Sequence, residues 1–483
     1  MNDVKKAVMT NWRWVMCAML FFATTVNYMD RQVLSLTFKE FIQPEFHWTD
    51  SDYGTITGVF SIAYAIFCLF AGKFIDWMGT KKGYLIAIVV WSLGAVIHAG
   101  CGVATTWFVD GVDSVAALRA VEAGSALAAS ISMVSVWLFL ACRMILGLGE
   151  AGNFPAAIKV TAEYFPKKDR AFATSIFNAG ASVGALAAPA TIPLLAKAWG
   201  WEWAFIIIGA LGFVWAGIWI FVYDKPEESK HVNEAELEYI HQDEADAPKE
   251  AVKEEKQMSF AEAFKHKQTW SFAFGKFMTD GVWWFFLFWA PAYFQDQFGI
   301  KASDPQGIAL IFTLYAIVTV VSLFGGYLPK IFVEKKGMEP YAGRMRAMLI
   351  FAFFPIFALF AQPLGGIYGP WAVAIIIGIV GAAHQSWSAN IFSTTGDMFP
   401  KSAVATITGI GAMAGGVGSF LINKGSGMLF THAEEMGEAF QFMGFSGKPA
   451  GYMIVFCICA VAYLIGWSVM KMLVPKYSPV VVK

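Results

Sequence analysis

The chain has 483 residues, of which 57% are hydrophobic, 16% aromatic and 15% charged, and its formal net charge is −1. Together with a mean hydropathy of +0.55, this composition excludes an ordinary soluble domain and indicates a membrane protein. The near-zero net charge, without a basic stripe interleaved with aromatic residues, argues against a nucleic-acid partner.

The first apolar run follows Lys5, Lys6 and Arg13 and continues to about Leu36 without a small-residue cleavage site. We therefore expect a first membrane helix and not a signal peptide. The six cysteines have neither paired nor metal-ligand spacing, so we expect them to be small core residues. No cofactor and no metal are expected.

Stretches long enough to cross about 30 Å of hydrocarbon occur in two sets of six. They lie near residues 14–37, 53–75, 83–102, 134–159, 171–194 and 203–223, and then near 271–297, 306–329, 347–364, 371–395, 403–423 and 449–473. The predicted fold is an all-α polytopic membrane protein with 12 transmembrane helices in two six-helix halves. We place the halves at residues 1–223 and 271–483, with a cytoplasmic linker at 224–270.

Residues 102–133 interrupt this pattern, because their alanine-rich second part resembles a thirteenth span. Asp110, Asp113, Arg119 and Glu122 argue against a span. We interpret the segment as an extracytoplasmic insertion, partly helical and structural in role.

The linker is rich in acidic residues and lysine, as a solvated segment should be. Within it, residues 233–240 are predicted to form a short amphipathic helix at the membrane surface. Most lysines and arginines fall on the side of the membrane that holds both termini, which is therefore predicted to be cytoplasmic.

Two ionisable residues lie inside the fourth span, Arg143 and Glu150. Seven residues apart, they share one helical face and are separated by about 10 Å along the axis. A charge at bilayer depth costs at least about 2.5 kcal/mol, so both should face a protein-lined or watery interior. We interpret that interior as a transport pathway and expect Arg143 to be the counter-charge of Glu150.

A faint internal repeat relates the two halves. The Phe-Pro-Lys at 165–167 recurs at 399–401, and the same displacement carries Glu150 onto His384. Related halves with ionisable groups at matching depth are typical of alternating-access transporters. A chance match of short apolar words is the alternative.

The loop between the second and third spans carries a recognisable pattern. Residues 72–82, Gly-Lys-Phe-Ile-Asp-Trp-Met-Gly-Thr-Lys-Lys, resemble the loop signature of the major facilitator superfamily, with Trp77 where a basic residue is usual. The resemblance implies a gating loop, in which a carboxylate at a helix end forms a charge latch with basic residues. Its residues are Gly72, Asp76, Gly79, Lys81 and Lys82.

Four further stretches, at residues 27–32, 147–155, 276–289 and 384–390, resemble the anion:cation symporter family, and within it the bacterial hexuronate transporters. Gly281 departs from the pattern, where proline is expected. The resemblance implies proton-coupled uptake of a hexuronate such as glucuronate or galacturonate, by alternating access, in the bacterial inner membrane. Its partners would be a small organic anion, a proton and the lipid bilayer, and a monomer should suffice.

The resemblance assigns proton coupling to Asp30 and a substrate carboxylate to Arg31, whose planar fork suits that group. Because a buried carboxyl tends toward protonation, Glu150 is a second candidate for proton coupling. Further residues are candidates for contacts with the sugar acid or for lining its path. They are Arg143, Tyr28, Tyr64, Trp284, His384, Gln385 and Asn390.

Each assignment has a structural alternative. The charged residues of helices 1 and 4 could form a network or a lock within the bundle, and the aromatic residues could serve packing alone. Lys276 and Asp280, one helical turn apart, are equally interpretable as a gate or a local ion pair.

Two other functions remain open. Another organic anion, for example an aldonate such as galactonate, could be the substrate, or the protein could be a membrane sensor that binds the anion without moving it. An enzyme is not expected, because the sequence has no metal cluster, nucleophile triad or phosphate loop.

Overall fold

The computed structural model of the protein describes residues 9–242, 258–325 and 327–480. Twelve long helices occur in these ranges, and they correspond one for one to the predicted spans. Their bounds are α1 Trp12–Thr37, α2 Asp50–Met78, α3 Thr80–Phe108, α4 Ala126–Tyr164, α5 Lys167–Trp199, α6 Trp201–Val222, α7 Lys267–Phe298, α8 Pro305–Gly325 with Leu328–Lys336, α9 Pro340–Tyr368, α10 Pro370–Met398, α11 Lys401–Met436 and α12 Lys448–Leu473.

Shorter elements connect these helices. They are a π-helical turn Phe38–Ile42, helices Gln43–Phe46, Val115–Arg119, Glu234–Ile240 and Phe260–Ala263, a 3-10 turn Gly437–Ala439, and an antiparallel hairpin of Gln441–Phe442 with Phe445–Ser446. The predicted all-α membrane fold is confirmed.

Ten of the twelve helices are long and apolar enough to span a bilayer by length and composition. The other two, α1 and α7, each carry buried ionisable residues along the middle of an apolar segment, Asp30 and Arg31 in α1 and Lys276 in α7. Charges in such a helix require a protein-lined environment, which the packing of the bundle supplies.

The helices pack as two groups. In the first half, α1–α6, α1 packs on α5 and α3 packs between α4 and α6. In the second half, α7–α12, α7 packs on α11 and α12, and α8 packs on α10. The halves meet where α2 lies along α11 and where α5 lies along α8. We call the end that holds residues 9 and 480 the terminal end, and the opposite end, where α1 ends and α2 begins, the far end.

The predicted insertion at residues 102–133 is shorter in the structure. Helix α3 continues to Phe108 and α4 begins at Ala126, so nearly half of the segment extends the two helices. The short helix between them ends at Arg119, which donates to Glu45 at 2.9 Å and to Glu202 at 3.0 Å. The segment thus ties three far-end loops of the first half together.

The short helix predicted at residues 233–240 is confirmed as Glu234–Ile240, with Asn233 as its N-cap. Glu236 on this helix is buried and accepts hydrogen bonds from the backbone amides of Trp12 and Arg13, at 2.9 and 3.1 Å. It also pairs with the Arg13 side chain at 3.0 Å. The linker helix therefore satisfies the first backbone donors of α1, which its own N-cap Asn11 leaves free of a side-chain cap.

Candidate functional site

Arg31 and Glu150 form the central contact of the first half. Arg31 of α1 donates through Nε and Nη2 to Oε2 of Glu150 in α4, at 3.2 and 2.9 Å. Both side chains are buried, at 6% and 0% exposure. Three aromatic rings surround the guanidinium, with centroids 4.6 Å away for Tyr64, 5.2 Å for Trp284 and 5.3 Å for Tyr28.

The expected partner of Glu150 was Arg143, and that expectation is wrong for the direct contact. Arg143 instead lies over the ring of Phe60 at 5.3 Å, and its Nη1 has no hydrogen-bond partner among the described residues. The separation of about 10 Å along α4 lets the guanidinium of Arg31, entering from another helix, occupy the position beside Glu150.

Glu150 owes its position to the glycines around it. It is the last residue of the first part of α4, which breaks at Ala151 and Gly152 before resuming. A Cβ on Gly149 would lie 2.3 Å from the backbone nitrogen of Trp91. Only glycine allows α3 and α4 to approach this closely, and that approach buries Glu150 inside the half.

Asp30 points away from its neighbour Arg31, as adjacent residues on a helix must. It is 1% exposed, and neither carboxyl oxygen has a hydrogen-bond partner among the described residues. Both amide atoms of the buried Asn27, one turn away, are likewise unpaired within the part of the chain described. Asp30 is thus placed in the interior of the first half, without direct pairing to the arginines.

A cavity of about 360 Å³ lies between the two halves. Of the predicted site residues, the cavity wall includes Tyr28, Arg31, Trp284, His384 and Gln385. The wall comes from helices α1, α4 and α5 of the first half and α7, α8 and α10 of the second.

The other predicted residues stand behind this wall. Tyr64 contacts Arg31 by its ring, and Glu150 holds Arg31 from the protein side. Asn390 donates to the backbone oxygen of Ser386 at 2.8 Å, within its own helix. None of these three, nor Asp30 or Arg143, is among the described residues of the wall.

Several wall residues escaped the sequence analysis or were left without a role. Asn178 and Ser182, one turn apart on α5, face the cavity with Tyr315 of α8. Two polar residues at this spacing in an apolar helix share one face, and this pattern could have predicted that the face lines the cavity. Lys276 and Asp280 of α7 also line the cavity and pair at 2.7 Å, so the predicted local ion pair is present.

His384, aligned with Glu150 by the internal repeat, is part of the second half's wall. Its Nδ1 lies 2.7 Å from the hydroxyl of Tyr463, and its ring stacks on Trp283 with a centroid separation of 5.5 Å. The imidazole is therefore held in one orientation by two contacts from its own half.

The far end of the cavity is closed by ionic contacts. Lys39 of the first half lies 2.9 Å from Asp296 of the second, and Lys448 lies 2.8 Å from Asp50. Lys39 also bonds Asp50, and Lys448 bonds Glu434. We call these five residues the far-end ion network.

Further bonds between the halves lie at the same end. Tyr53 donates to the Phe288 oxygen at 2.7 Å, and Lys424 donates to Thr55. Within the described ranges, every side-chain hydrogen bond or ion pair that joins α1–α6 to α7–α12 lies toward the far end. The structure is therefore a far-end-closed conformation, in which side chains of the two halves bind each other at this end.

The predicted gating loop lies at the terminal end, where Gly79 adopts a φ of +77° between α2 and α3. Asp76 pairs with Lys159 of α4 and Lys81 with Asp224, both at 2.8 Å. Gly72 and Lys82 belong to the flanking helices. The ion pairs described for the loop stay within the first half and its linker.

Comparisons with known proteins agree with this architecture. The family model described as Major Facilitator Superfamily matches residues 20–422. The hexuronate transporter of Escherichia coli (strain K12) is 27% identical over 409 residues, which cover 85% of each chain. The galacturonate transporter of Dickeya chrysanthemi is 28% identical over 320 residues, 66% of this chain and 82% of that protein. The D-galactonate transporter of Escherichia coli O6:H1 is 28% identical over 330 residues, 67% and 68% of the two chains.

Two solved structures are similar in fold. The D-xylose-proton symporter has a TM-score of 0.68 at 16% identity, covering 97% of this chain and 98% of that one. An inward-facing, unoccupied bacterial homolog of the human lysosomal transporter Spinster has a TM-score of 0.70 at 18% identity, covering 97% and 99%. With a family model that spans most of its length, the chain belongs to the Major Facilitator Superfamily and is a membrane transporter.

Proposed function

We propose that the protein is a proton-coupled symporter that imports hexuronates, such as glucuronate and galacturonate, by alternating access. The observation that carries the proposal is the ion pair of Arg31 and Glu150, in which the arginine lines the central cavity and the glutamate lies behind it. An arginine at a cavity wall suits a carboxylate, because its planar fork donates two parallel hydrogen bonds.

The pair links the binding of proton and anion. While Glu150 is ionised it neutralises Arg31, and a substrate carboxylate would have to compete for the same guanidinium. Once Glu150 accepts a proton, Arg31 is left as an uncompensated buried cation, which strongly favours an incoming anion. Proton and carboxylate therefore bind and leave together, as symport requires.

We assign a second proton to Asp30. An ionised carboxylate without a partner is very costly in an apolar interior, whereas the protonated acid costs far less. Since Asp30 is buried with both oxygens unpaired, we propose that it is protonated in this conformation while Glu150 is ionised. The two acids would then exchange protons at different stages of the cycle.

The names of the relatives support the choice of substrate. An organic acid is common to them, and the hexuronate and galacturonate transporters support a sugar acid. An aldonate is the second candidate, because a D-galactonate transporter has a similar identity to this chain.

We place the protein in the bacterial cytoplasmic membrane with its terminal end in the cytoplasm, following the distribution of lysine and arginine. The conformation described is then closed on the outer side. One charge crossing 100 mV releases about 2.3 kcal/mol, enough to drive accumulation of the anion. We also propose that a monomer is functional.

Uptake of radiolabelled glucuronate and galacturonate into vesicles containing the purified protein tests the proposal. Uptake should rise with an inward proton gradient, disappear with a protonophore, and be unaffected when sodium is replaced by potassium. Binding without uptake would favour the sensor, and uptake that follows sodium would overturn the assignment of the proton.

A further inference from the structure

We propose that Lys276 and Asp280 form the subsite for the hydroxyl-bearing end of the substrate, and that this pair makes the carrier selective for acids with one carboxylate over acids with two. The inference rests on the proposed function, in which Arg31 takes the carboxylate. It assigns to the second half a role that neither the Arg31–Glu150 pair nor proton coupling provides.

The pair is part of the cavity wall on the second half, whereas Arg31 is part of the wall on the first half. Lys276 Nζ lies 2.7 Å from Asp280 Oδ2, and the two side chains are 6% and 14% exposed. The ammonium group also lies 4.2 Å from the ring centroid of Phe392. Asp280 packs against Gly415 of α11, where a Cβ would lie 2.2 Å from its Oδ2. Lys276 is therefore held by Asp280 and Phe392, and Asp280 is held by Lys276 and by packing against Gly415.

The two ion pairs of the site differ in whether their cation can become free to bind an anion. Arg31 reaches its partner on another helix, and Glu150 lies outside the described wall, so protonation of Glu150 exposes a free cation to the cavity. Lys276 and Asp280 are one turn apart on the same helix, and both line the wall. A rigid-body movement of the halves leaves this pair intact, so the charge of Lys276 stays neutralised.

The charge of the wall then matches one carboxylate. The acidic and basic residues among the described wall residues are Arg31, Lys276, Asp280 and His384. Apart from His384, the polar wall residues described on α8 and α10 are neutral: Tyr315, Thr319, Ser322, Gln385 and Ser388. With His384 neutral and Glu150 protonated, the wall carries one net positive charge. A second carboxylate would meet Asp280 with no free cation to offset the repulsion.

Hydroxyl groups fit the same pair well. A carboxylate accepts hydrogen bonds from neighbouring hydroxyls, and an ammonium group donates to their oxygens, so the pair binds a diol without losing its own contact. The substrate would thus span the halves, with its carboxylate on the first and its hydroxyls on the second. This arrangement couples the halves to one ligand, as alternating access requires.

The test compares galactonate with galactarate, six-carbon acids that differ by the second carboxylate, as competitors of labelled galacturonate uptake in proteoliposomes. For the natural protein we expect galactarate to compete at least about ten times more weakly than galactonate. Asp280→Asn should weaken competition by galactonate roughly ten-fold or more, because hydrogen bonds to a charged group are lost. The same substitution leaves Lys276 without its partner, so it should not weaken competition by galactarate. The preference for galactonate over galactarate should therefore fall.

Two further variants keep the test decisive. If Asp280→Asn does not fold, the double variant Lys276→Gln with Asp280→Asn leaves no buried unpaired charge and should also lose the discrimination. Glu334→Gln is the matched control, since Lys330 and Glu334 form an exposed pair of the same spacing at 3.6 Å, and it should change neither competitor.

The outcomes separate the two proposals. If the natural protein takes up galacturonate but galactarate competes as well as galactonate, or if folded Asp280 variants keep the original ratio, the subsite assignment is overturned and the symporter stands. If no sugar acid is taken up at all, the proposed function fails, and the subsite fails with it.

Discussion

Arg31 and Glu150, which are 119 positions apart in the chain, lie 2.9 Å apart in the interior of the first half. Both belong to α1–α6, so the opening and closing of the two halves does not separate them. In the proposed mechanism, a proton on the glutamate or an anion at the arginine would break this contact. The proposed coupling step is therefore local, whereas the step that exposes the cavity to one side or the other involves both halves.

Arg31→Lys should damage transport although the positive charge is kept. The ammonium group cannot reproduce the two donors that now reach Glu150 from Nε and Nη2. We expect apparent affinity for glucuronate to fall by roughly ten- to a hundred-fold, as for the loss of a hydrogen bond to a charged group. Concentration-dependent uptake measures it, with the exposed Arg346→Lys as control. Near-normal affinity in the Arg31 variant would rule out the carboxylate assignment.

Glu150→Gln should abolish uptake driven by a proton gradient but spare exchange of labelled for unlabelled substrate. The neutral amide imitates the protonated acid, so the loaded carrier can reorient but cannot release a proton and reset. Uptake and exchange are measured on the same proteoliposomes.

A purely structural role of Glu150 predicts another result. Removing it would leave a buried cation unpaired at a cost of about 3 to 5 kcal/mol, visible as a lowered melting temperature. If uptake and exchange fall together in a variant of unchanged stability, Glu150 serves substrate binding or reorientation, and the coupling role is wrong.

Gly54→Ala should shift the protein away from the far-end-closed conformation. A Cβ at Gly54 of α2 would lie 2.6 Å from the backbone oxygen of Asn423 in α11, so the methyl group forces the two halves apart. Spin labels at the exposed residues Asp113 and Glu438, at the far end of different halves, should report a longer distance. Gly217→Ala, whose Cβ would meet nothing within 4 Å, is the control. An unchanged distance distribution in the Gly54 variant would show that this contact does not set the conformation.

The contact between Glu236 of the linker helix and the start of α1 should weaken at acidic pH. Burial raises the pKa of Glu236, but hydrogen bonds from Thr10 and from the backbone amides of Arg13 and Trp12 outweigh burial and lower the pKa below its usual value. A carboxyl group whose pKa is lower in the folded protein than in the unfolded chain stabilises the fold at a pH above its unfolded pKa of about 4.3. This stabilisation is lost as the pH falls through the pKa of the folded state.

Hydrogen exchange of the amides at Trp12 and Arg13 measures this effect, and it should accelerate as the pH falls below about 4, after correction for the intrinsic rate. Glu236→Gln should remove the pH dependence and destabilise the contact by about 1 to 3 kcal/mol. Glu234→Gln, exposed on the same helix, should retain the pH dependence of the natural protein. Equal behaviour of the two variants would contradict the role of Glu236.

The sequence by itself determined the twelve helices, the linker helix and the family. A membrane helix satisfies its backbone hydrogen bonds internally, and its length follows from the thickness of the bilayer. Both properties are local and can be read from apolar stretches. The Asn233 cap is local in the same way, which is why Glu234–Ile240 could be predicted almost to the residue. The motif at residues 72–82 needed only its own pattern and its position between two helices.

Only the tertiary structure decided which charged groups meet. Whether Glu150 pairs with Arg143 or with Arg31 depends on how far α3 and α4 approach at Gly149 and on the rotation of α1, and neither is encoded in a single segment. The same holds for Lys276, which turned out to face the cavity. The closed far end depends on contacts between helices more than 200 residues apart, such as Lys39 with Asp296. The free energy of each such contact is the difference between the cost of desolvating the charges and their attraction at the observed distance. Both depend on how the two halves pack, so they are defined only after the chain has folded.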